Sequence, residues 1–327
     1  MTPRLVALRA LGLGDLLTGV PALRGLRRAF PGHRLLLAAP GWLAEAVAAT
    51  GAVDELIPAA APGRAVPTSV PWSGPPPELA VDLHGSGPES LRPLLTLNPG
   101  QVWGFAHPSG PDRRADAHEE EREHEHERDR WCRLLAWYGV PADPADLRVA
   151  APPWPSPAPG AVVLHPGADA GARRWPAERF AAVGRALTRD GHRVVVTGGP
   201  DEGELAAHVA RSADLGASSV FAGPTVLPFP ALAALLAAAR AVLVGDTGVA
   251  HLATALGTPS VVLFGPVSPA RWGPPDSPFH RALWHPEVPH AGDPHGTGPD
   301  ERLLAIGEAE VLAALAALPP PAFSAGE

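Results

Sequence analysis

Arg4-Leu5-Val6-Ala7-Leu8-Arg9-Ala10-Leu11-Gly12-Leu13-Gly14-Asp15-Leu16-Leu17 is the stretch from which the fold is read. Residues 5–8 form an apolar run with the length of a short buried strand, and Gly12-Leu13-Gly14-Asp15 breaks it. Beyond the break, Leu16, Val20, Leu23, Leu26 and Phe30 recur every three or four residues, the period of one helix face. Pro21 inside that pattern requires the helix to start beside it or to bend there. Pro31-Gly32 ends the helix, and residues 34–39 read as the next buried strand. Residues 43–49 are helical, and residues 79–83 are a further strand running into His84-Gly85-Ser86-Gly87. Residues 58–77 are too rich in Pro, Gly and Ala to assign. Strands alternating with helices predict an α/β fold, a parallel sheet with helices on its faces.

Residues 151–160, Ala-Pro-Pro-Trp-Pro-Ser-Pro-Ala-Pro-Gly, form the clearest boundary in the chain, because so dense a Pro run is a stiff connector rather than core. It divides the chain into residues 1–153 and 154–327, each the size of a domain. After it the alternation restarts. Strands are expected at 161–165, 193–197, near Val220, 241–245 and 260–264, and helices at 177–189, 202–213, 231–239, 248–256 and 301–318. Two such domains suit a ligand bound in a cleft between them.

Composition narrows the class. Of 327 residues, 46% are hydrophobic, too many for a disordered chain. A net charge of −8 speaks against a nucleic-acid partner, which would usually meet a basic face. The one cysteine, Cys132, leaves no internal disulfide framework and no Cys-based zinc site. No apolar run reaches the roughly 18 residues of a membrane span, and the run before Arg9 is too short for a secretory signal. A cytoplasmic protein is expected. All 26 basic residues are Arg, which fits the codon bias of a GC-rich genome, so Arg where Lys is usual carries little meaning.

Four segments carry chemistry. Gly12-Leu13-Gly14-Asp15 lies between a strand and a helix, where two glycines let the backbone turn and approach a ligand. The same residues equally describe a helix capped by Asp15, and both readings stand. The dinucleotide fingerprint G-x-G-x-x-G is incomplete, since position 17 is Leu17. Val244-Gly245-Asp246-Thr247-Gly248-Val249-Ala250-His251 is a second strand-to-helix turn, with Asp246, Thr247 and the Gly248 amide at a helix N-terminus suited to a diphosphate. His251 stands one turn further on, able to lean back to the same mouth. Leu164-His165-Pro166-Gly167 precedes Arg173-Arg174-Trp175-Pro176, where Pro176 occupies a first helical turn and either Arg is able to clamp a phosphate. Thr197-Gly198-Gly199-Pro200-Asp201-Glu202 ends a strand with an acid able to hold ribose hydroxyls.

Taken in this order, the four segments resemble glycosyltransferase family 9, the lipopolysaccharide heptosyltransferase-like enzymes. The resemblance runs over almost the whole chain, most specifically in G-L-G-D at 12–15, R-R-W-P at 173–176 and G-D-T-G-V-A-H at 245–251, followed by Gly257-Thr258-Pro259 and Leu263-Phe264-Gly265. It implies a GT-B fold, two Rossmann-like domains facing each other across a cleft, with the acceptor side N-terminal and the nucleotide-sugar side C-terminal. It also implies inversion at the anomeric centre, no cofactor and no obligatory metal. Residue by residue, Asp15 matches the catalytic base, and Arg173 stands where a Lys usually touches the donor diphosphate. Asp246, Thr247, Gly248 and His251 match the donor-binding turn. Glu202, with Asp201 beside it, is the candidate for the ribose, and Leu227 for the adenine. Gly12, Gly14 and Asp82 belong to the phosphate-near or acceptor loops. Val81-Asp82-Leu83-His84-Gly85-Ser86 resembles the family's acceptor-side Asp-x-x-Gly segment, but Pro88-Glu89 stand where a basic residue is common, with Arg92 near. That departure leaves the acceptor open between a cell-envelope glycan and a small molecule.

The resemblance implies transfer of heptose or a related sugar from an ADP-linked donor to an acceptor hydroxyl. Membrane association is expected only peripherally, through a lipid-linked acceptor. Two other readings stay open, a GT-B-like protein that binds a nucleotide sugar without transferring it and a nicotinamide dehydrogenase. Two histidine-rich segments invite a metal reading. Over residues 117–128, Glu and Arg at helical spacings describe a solvated, ion-paired helix instead. His280, His285, His290 and His295 recur every fifth residue among Pro and Gly, a spacing that defines no face and predicts a surface loop.

Overall fold

The computed structural model describes residues 2–106, 117–118 as backbone, 125–289 and 293–321. The chain divides into two compact units, Met1–Val149 and Ala150–Glu327. In the first, strands β1 (Arg4–Leu8), β2 (Arg34–Ala39), β3 (Glu55–Pro58), β4 (Leu79–Asp82) and β5 (Gln101–Trp103) form one parallel sheet in the order β3-β2-β1-β4-β5. Val6 of β1 stands opposite Leu36 on one side and Ala80 on the other. Leu5, Val6, Ala7 and Leu8 are all fully buried, which is why β1 reads as an unbroken apolar run and not as an alternation. Two residues of β6 (Phe105–Ala106) pair with β7 (Ala117–His118).

Helices α1 (Leu13–Thr18), α2 (Val20–Ala29), α3 (Ala44–Ala49), α4 (Pro88–Leu95) and α5 (Glu127–Trp137) complete this unit. Of the two possibilities raised by Pro21, the structure takes the first, a helix starting beside it, with Pro21 in the opening turn of α2. The break from α1 falls at Gly19. A Cβ there would come within 2.9 Å of Cδ and Nε of the buried Arg9, so this glycine is required by close approach. The helix expected over 117–128 is not found in the described part of that segment. The backbone at 117–118 is strand, α5 starts only at Glu127 behind His126 as its cap, and residues 119–124 lie outside the described residues.

The second unit holds β8 (Val162–His165), β9 (Val194–Thr197), β10 (Val220–Phe221), β11 (Ala241–Gly245), β12 (Ser260–Leu263) and β13 (His280–Leu283), parallel in the order β10-β9-β8-β11-β12-β13. Around it lie α6 (Ala177–Arg189), α7 (Gly203–Ser212), α8 (Phe229–Ala237), α9 (Gly248–Leu256), α10 (Pro269–Trp272), α11 (Glu301–Ala305) and α12 (Glu308–Ala316). Its core joins Val162, Leu164, Val194 and Val196 of the sheet to Phe180, Val183 and Val209 of the helices.

Three expectations need correction here. The last helix is not continuous over 301–318. Ile306 turns extended, its carbonyl accepting from Trp175 Nε1 at 3.0 Å and Arg179 at 2.8 Å, and Gly307 starts a new helix. Pro176 caps α6 from outside and does not occupy its first turn. The segment from His280 is not all loop: His280 begins the edge strand β13, its Nδ1 2.9 Å from Ser260 Oγ. His285 bridges Glu287 and Glu310, His295 is exposed in a loop, and His290 lies outside the described residues.

The strand order matters for function. In each sheet the chain leaves its first strand in one direction and later returns to pair on its other side. This puts a switch point between β1 and β4 in one unit and between β8 and β11 in the other. In open parallel sheets the crevice beyond the strand ends at that point is where ligands bind.

Candidate active site

At the first switch point, Gly12 rather than Asp15 is the cap of α1. Gly12 has φ −80°, ordinary extended backbone, so the expected sharp glycine turn is not what this position supplies. A Cβ on Gly12 would stand 3.3 Å from Asp15 Oδ2, and the Gly12 amide donates to that oxygen at 3.0 Å. Gly14 is in the first turn of α1. Asp15 is buried, and its Oδ2 also receives an ion pair from Arg64. Its Oδ1 makes no hydrogen bond to any described residue. One carboxylate oxygen is held and the other is available to a proton.

Beneath Asp15 lies Arg9, fully buried. Its guanidinium donates to the Asp15 and Leu83 carbonyls, to Thr18 Oγ1 at 3.1 Å and to Glu127 Oε1 at 3.2 Å, and it stacks 5.0 Å over Trp131. A buried guanidinium is tolerable only when paired and bonded in this way. The two loops of the switch point are thereby tied to one side chain. Across from Asp15, Asp82 accepts from the His84 amide at 2.9 Å, the Gly85 amide at 3.3 Å and Ser90 Oγ at 2.5 Å. Burial pushes the Asp82 carboxyl up to about 6. Asp82 therefore shapes its loop from within. His84 Nδ1 accepts from the Ala10 amide at 3.1 Å, and burial, with Arg9 and Arg64 nearby, holds its pKa down to about 4.

At the second switch point, Thr247 caps α9 and Gly248 is its first residue. Asp246 is buried, 3.8 Å from Arg173 and 4.0 Å from His251 Nε2. The His251 ring meets Trp272 edge-on at 5.8 Å. Of the two arginines offered by the sequence, Arg173 faces the α9 terminus. Arg174 turns away, donating to the Ala168 carbonyl at 2.9 Å and lying 3.8 Å from Glu202. Glu202 accepts from the Gly199 amide at 2.7 Å, whereas Asp201 is exposed. Two buried polar atoms have no partner here, Arg173 Nε and Thr247 Oγ1. Leaving such groups unbonded costs about 1–3 kcal/mol each, which a ligand acceptor would recover.

The structure thus brings Arg173, Asp246, Thr247, Gly248 and His251 together, with Glu202 two strands along the same edge. It gathers Asp15, Gly12, Gly14 and Asp82 at the other switch point. Sequence reasoning missed Arg9, Arg64 and Ser90 on the first side and the pairing of His165 with Thr197 on the second. Of these, only His165 and Thr197 had a signal, their places at strand ends. Among the described residues no group of three or more His, Cys, Asp or Glu is placed to hold a metal ion, and no helix is long and apolar enough to cross a membrane.

The chain resembles known proteins in sequence and in fold. The family profile Glycosyltransferase family 9 (heptosyltransferase) matches residues 111–291. The chain is 35% identical over 115 residues to lipopolysaccharide heptosyltransferase 3 of Escherichia coli, a match covering 35% of this chain and 33% of that protein. It thus spans about a third of the length of the curated relatives it matches. Among solved structures, a family 9 glycosyl transferase from Veillonella parvula superposes with a TM-score of 0.77 at 21% identity, covering 97% of each chain. The E. coli ADP-heptose lps heptosyltransferase II gives 0.75 at 21% identity, covering 96% of this chain and 98% of that one. The expected fold class, α/β with two Rossmann-like domains, is that of these structures.

Proposed function

This chain belongs to glycosyltransferase family 9, and on that premise we propose that it moves heptose or a related sugar from an ADP-linked donor to a hydroxyl of a glycan or small-molecule acceptor. The observation that carries the reading is the pair of unpartnered buried donors, Arg173 Nε and Thr247 Oγ1, at the N-terminus of α9. A diphosphate supplies acceptors for both, and the positive end of the nine-residue α9 favours its charge. The ADP-heptose named for the E. coli neighbour supports ADP as the nucleotide.

In the proposed step the acceptor oxygen attacks the anomeric carbon from the face opposite the diphosphate, with inversion. The new C–O bond forms as the bond from that carbon to the phosphate oxygen breaks. The acceptor proton passes to Asp15 Oδ1, while Oδ2 stays fixed by Gly12 and Arg64. Charge developing on the departing ADP is met by Arg173, Thr247 and the Gly248 amide. This reading gives leaving-group stabilisation to Arg and helix dipole, so it requires no metal. A lipid-linked acceptor would bring the enzyme to a membrane surface only peripherally.

The test is to incubate the full chain with ADP-heptose and related ADP-sugars and a panel of glycan and small-molecule acceptors. ADP release and product anomeric configuration are followed by NMR, with and without EDTA. Acceptor-dependent ADP release, inverted product and indifference to EDTA are expected. Donor binding without release on any acceptor would instead make the chain a nucleotide-sugar binder, and loss of turnover in EDTA would restore a metal to the mechanism.

A further inference from the structure

The ends of β8 and β9 hold a polar pair outside the diphosphate cluster. His165 closes β8 and Thr197 closes the neighbouring β9, with His165 Nδ1 3.0 Å from Thr197 Oγ1. Thr197 Oγ1 is also 3.4 Å from the Leu164 carbonyl, to which its hydroxyl donates. A hydroxyl has one proton. Both contacts are hydrogen bonds only if Nδ1–H donates to Oγ1 and the hydroxyl donates onward to Leu164. That assigns the proton of the neutral ring to Nδ1 and leaves Nε2 with a lone pair. Nε2 makes no hydrogen bond to any described residue, and the ring is only partly buried. Burial holds the imidazole below its usual pKa against the opposing pull of Glu202, which keeps it neutral.

Glu202 is built in beside it. Its carboxylate accepts from the Gly199 amide and lies where a side chain at Gly167 would start, so Gly167 makes room for it two residues beyond His165. Nε2 and Glu202 are both acceptors. Two acceptors side by side repel phosphate and suit two donors on one ligand, which is the arrangement of a vicinal diol. Strands β9, β8 and β11 are consecutive in the sheet, so the strand ends that lead to Glu202 and to Asp246 are about two strand spacings, or roughly 10 Å, apart. That is the reach of a ribose from its own 5′-diphosphate.

We propose that His165 is a specificity residue for the donor nucleoside, its Nε2 accepting from one ribose hydroxyl while Glu202 accepts from the other. The assignment rests on the nucleotide-sugar reading above. Thr197 acts as the positioning residue that fixes the tautomer.

Isothermal titration of the full chain with ADP, 2′-deoxy-ADP and 3′-deoxy-ADP tests it. Each deoxy nucleotide should bind the wild type about 3- to 10-fold more weakly than ADP, the worth of one hydrogen bond. In His165→Phe the penalty for one missing hydroxyl should vanish while the other remains, and His165→Gln, which keeps an acceptor, should restore part of it. Equal loss for all three nucleotides in His165→Phe, or unchanged ADP affinity, would overturn the proposal and leave the proposed function standing. Deoxy nucleotides bound as tightly as ADP by the wild type would overturn it whatever the variants do. A wild type that binds none of the three would reject the ADP reading and this pair with it.

Discussion

At Asp15 the capping contact uses one carboxylate oxygen and leaves the other, so the two readings that its sequence left open do not exclude each other. The contact is made by Oδ2, which accepts the Gly12 amide from the third helical position. Asp15→Asn keeps a carbonyl oxygen for Gly12 and so keeps the helix start, at most weakening the tie to Arg64. It cannot take a proton from an acceptor hydroxyl. Turnover should therefore fall roughly 10²–10⁴-fold, with ADP affinity nearly unchanged because every proposed donor ligand belongs to the other unit. Transfer at near wild-type rate with saturating donor would remove Asp15 from the chemistry.

The loop after β4 supplies a prediction at the scale of an element, because it buries two groups that titrate in opposite senses. Asp82 has its pKa raised from 3.8 to about 6, so the stability it contributes is present at low pH and lost as pH rises through 6. His84 has its pKa lowered from 6.5 to about 4, because protonating Nδ1 would both charge a buried ring and break its bond from Ala10. Its contribution is present above 6.5 and lost as pH falls through 4. Between pH 4 and 6 the two slopes oppose, each worth at most about 3 kcal/mol and less for the partly exposed imidazole. The wild type should be flat there as far as this loop is concerned. Urea melts across that range should show Asp82→Asn gaining stability with rising pH and His84→Gln losing it. Two variants that both track the wild type would mean the pair is not titrating. Elements such as this one also show what a sequence can carry. Helices α6 and α9 were legible to the residue because cap, period and stop are local signals. The turn from Asp246 to His251 was legible for the same reason. Arg64 was not, since it reaches Asp15 from a Pro- and Gly-rich stretch 49 residues away. Nor was the bond between His165 and Thr197, which exists only because β8 and β9 are neighbours. The edge strand β13 escaped notice because Arg281 and Ala282 face solvent and blur any apolar pattern.

At the scale of the whole molecule, the chain has two compact units, each with its own sheet and core, and the proposed function assigns the donor to the second of them. ADP at about 100 times its Kd should add about 2.7 kcal/mol to the unit that binds it. Hydrogen exchange should place the protection within residues 150–327, concentrated at the ends of β8 and β11 and the start of α9. Protection centred on Gly12 to Asp15 instead would exchange the proposed roles of the two units. The lone thiol, Cys132, is buried on α5, and its pKa is pushed up to about 12 by burial and by Asp129 and Asp143. Maleimide should ignore the native protein and react with one equivalent only after denaturation. A dye can therefore be attached through a cysteine introduced at an exposed position of either unit, with no need to delete the native one. With no lysine in the chain, amine-reactive dyes have no side-chain target either. Its own composition and packing have left this protein chemically dark, ready for fluorophores placed at chosen positions in either unit.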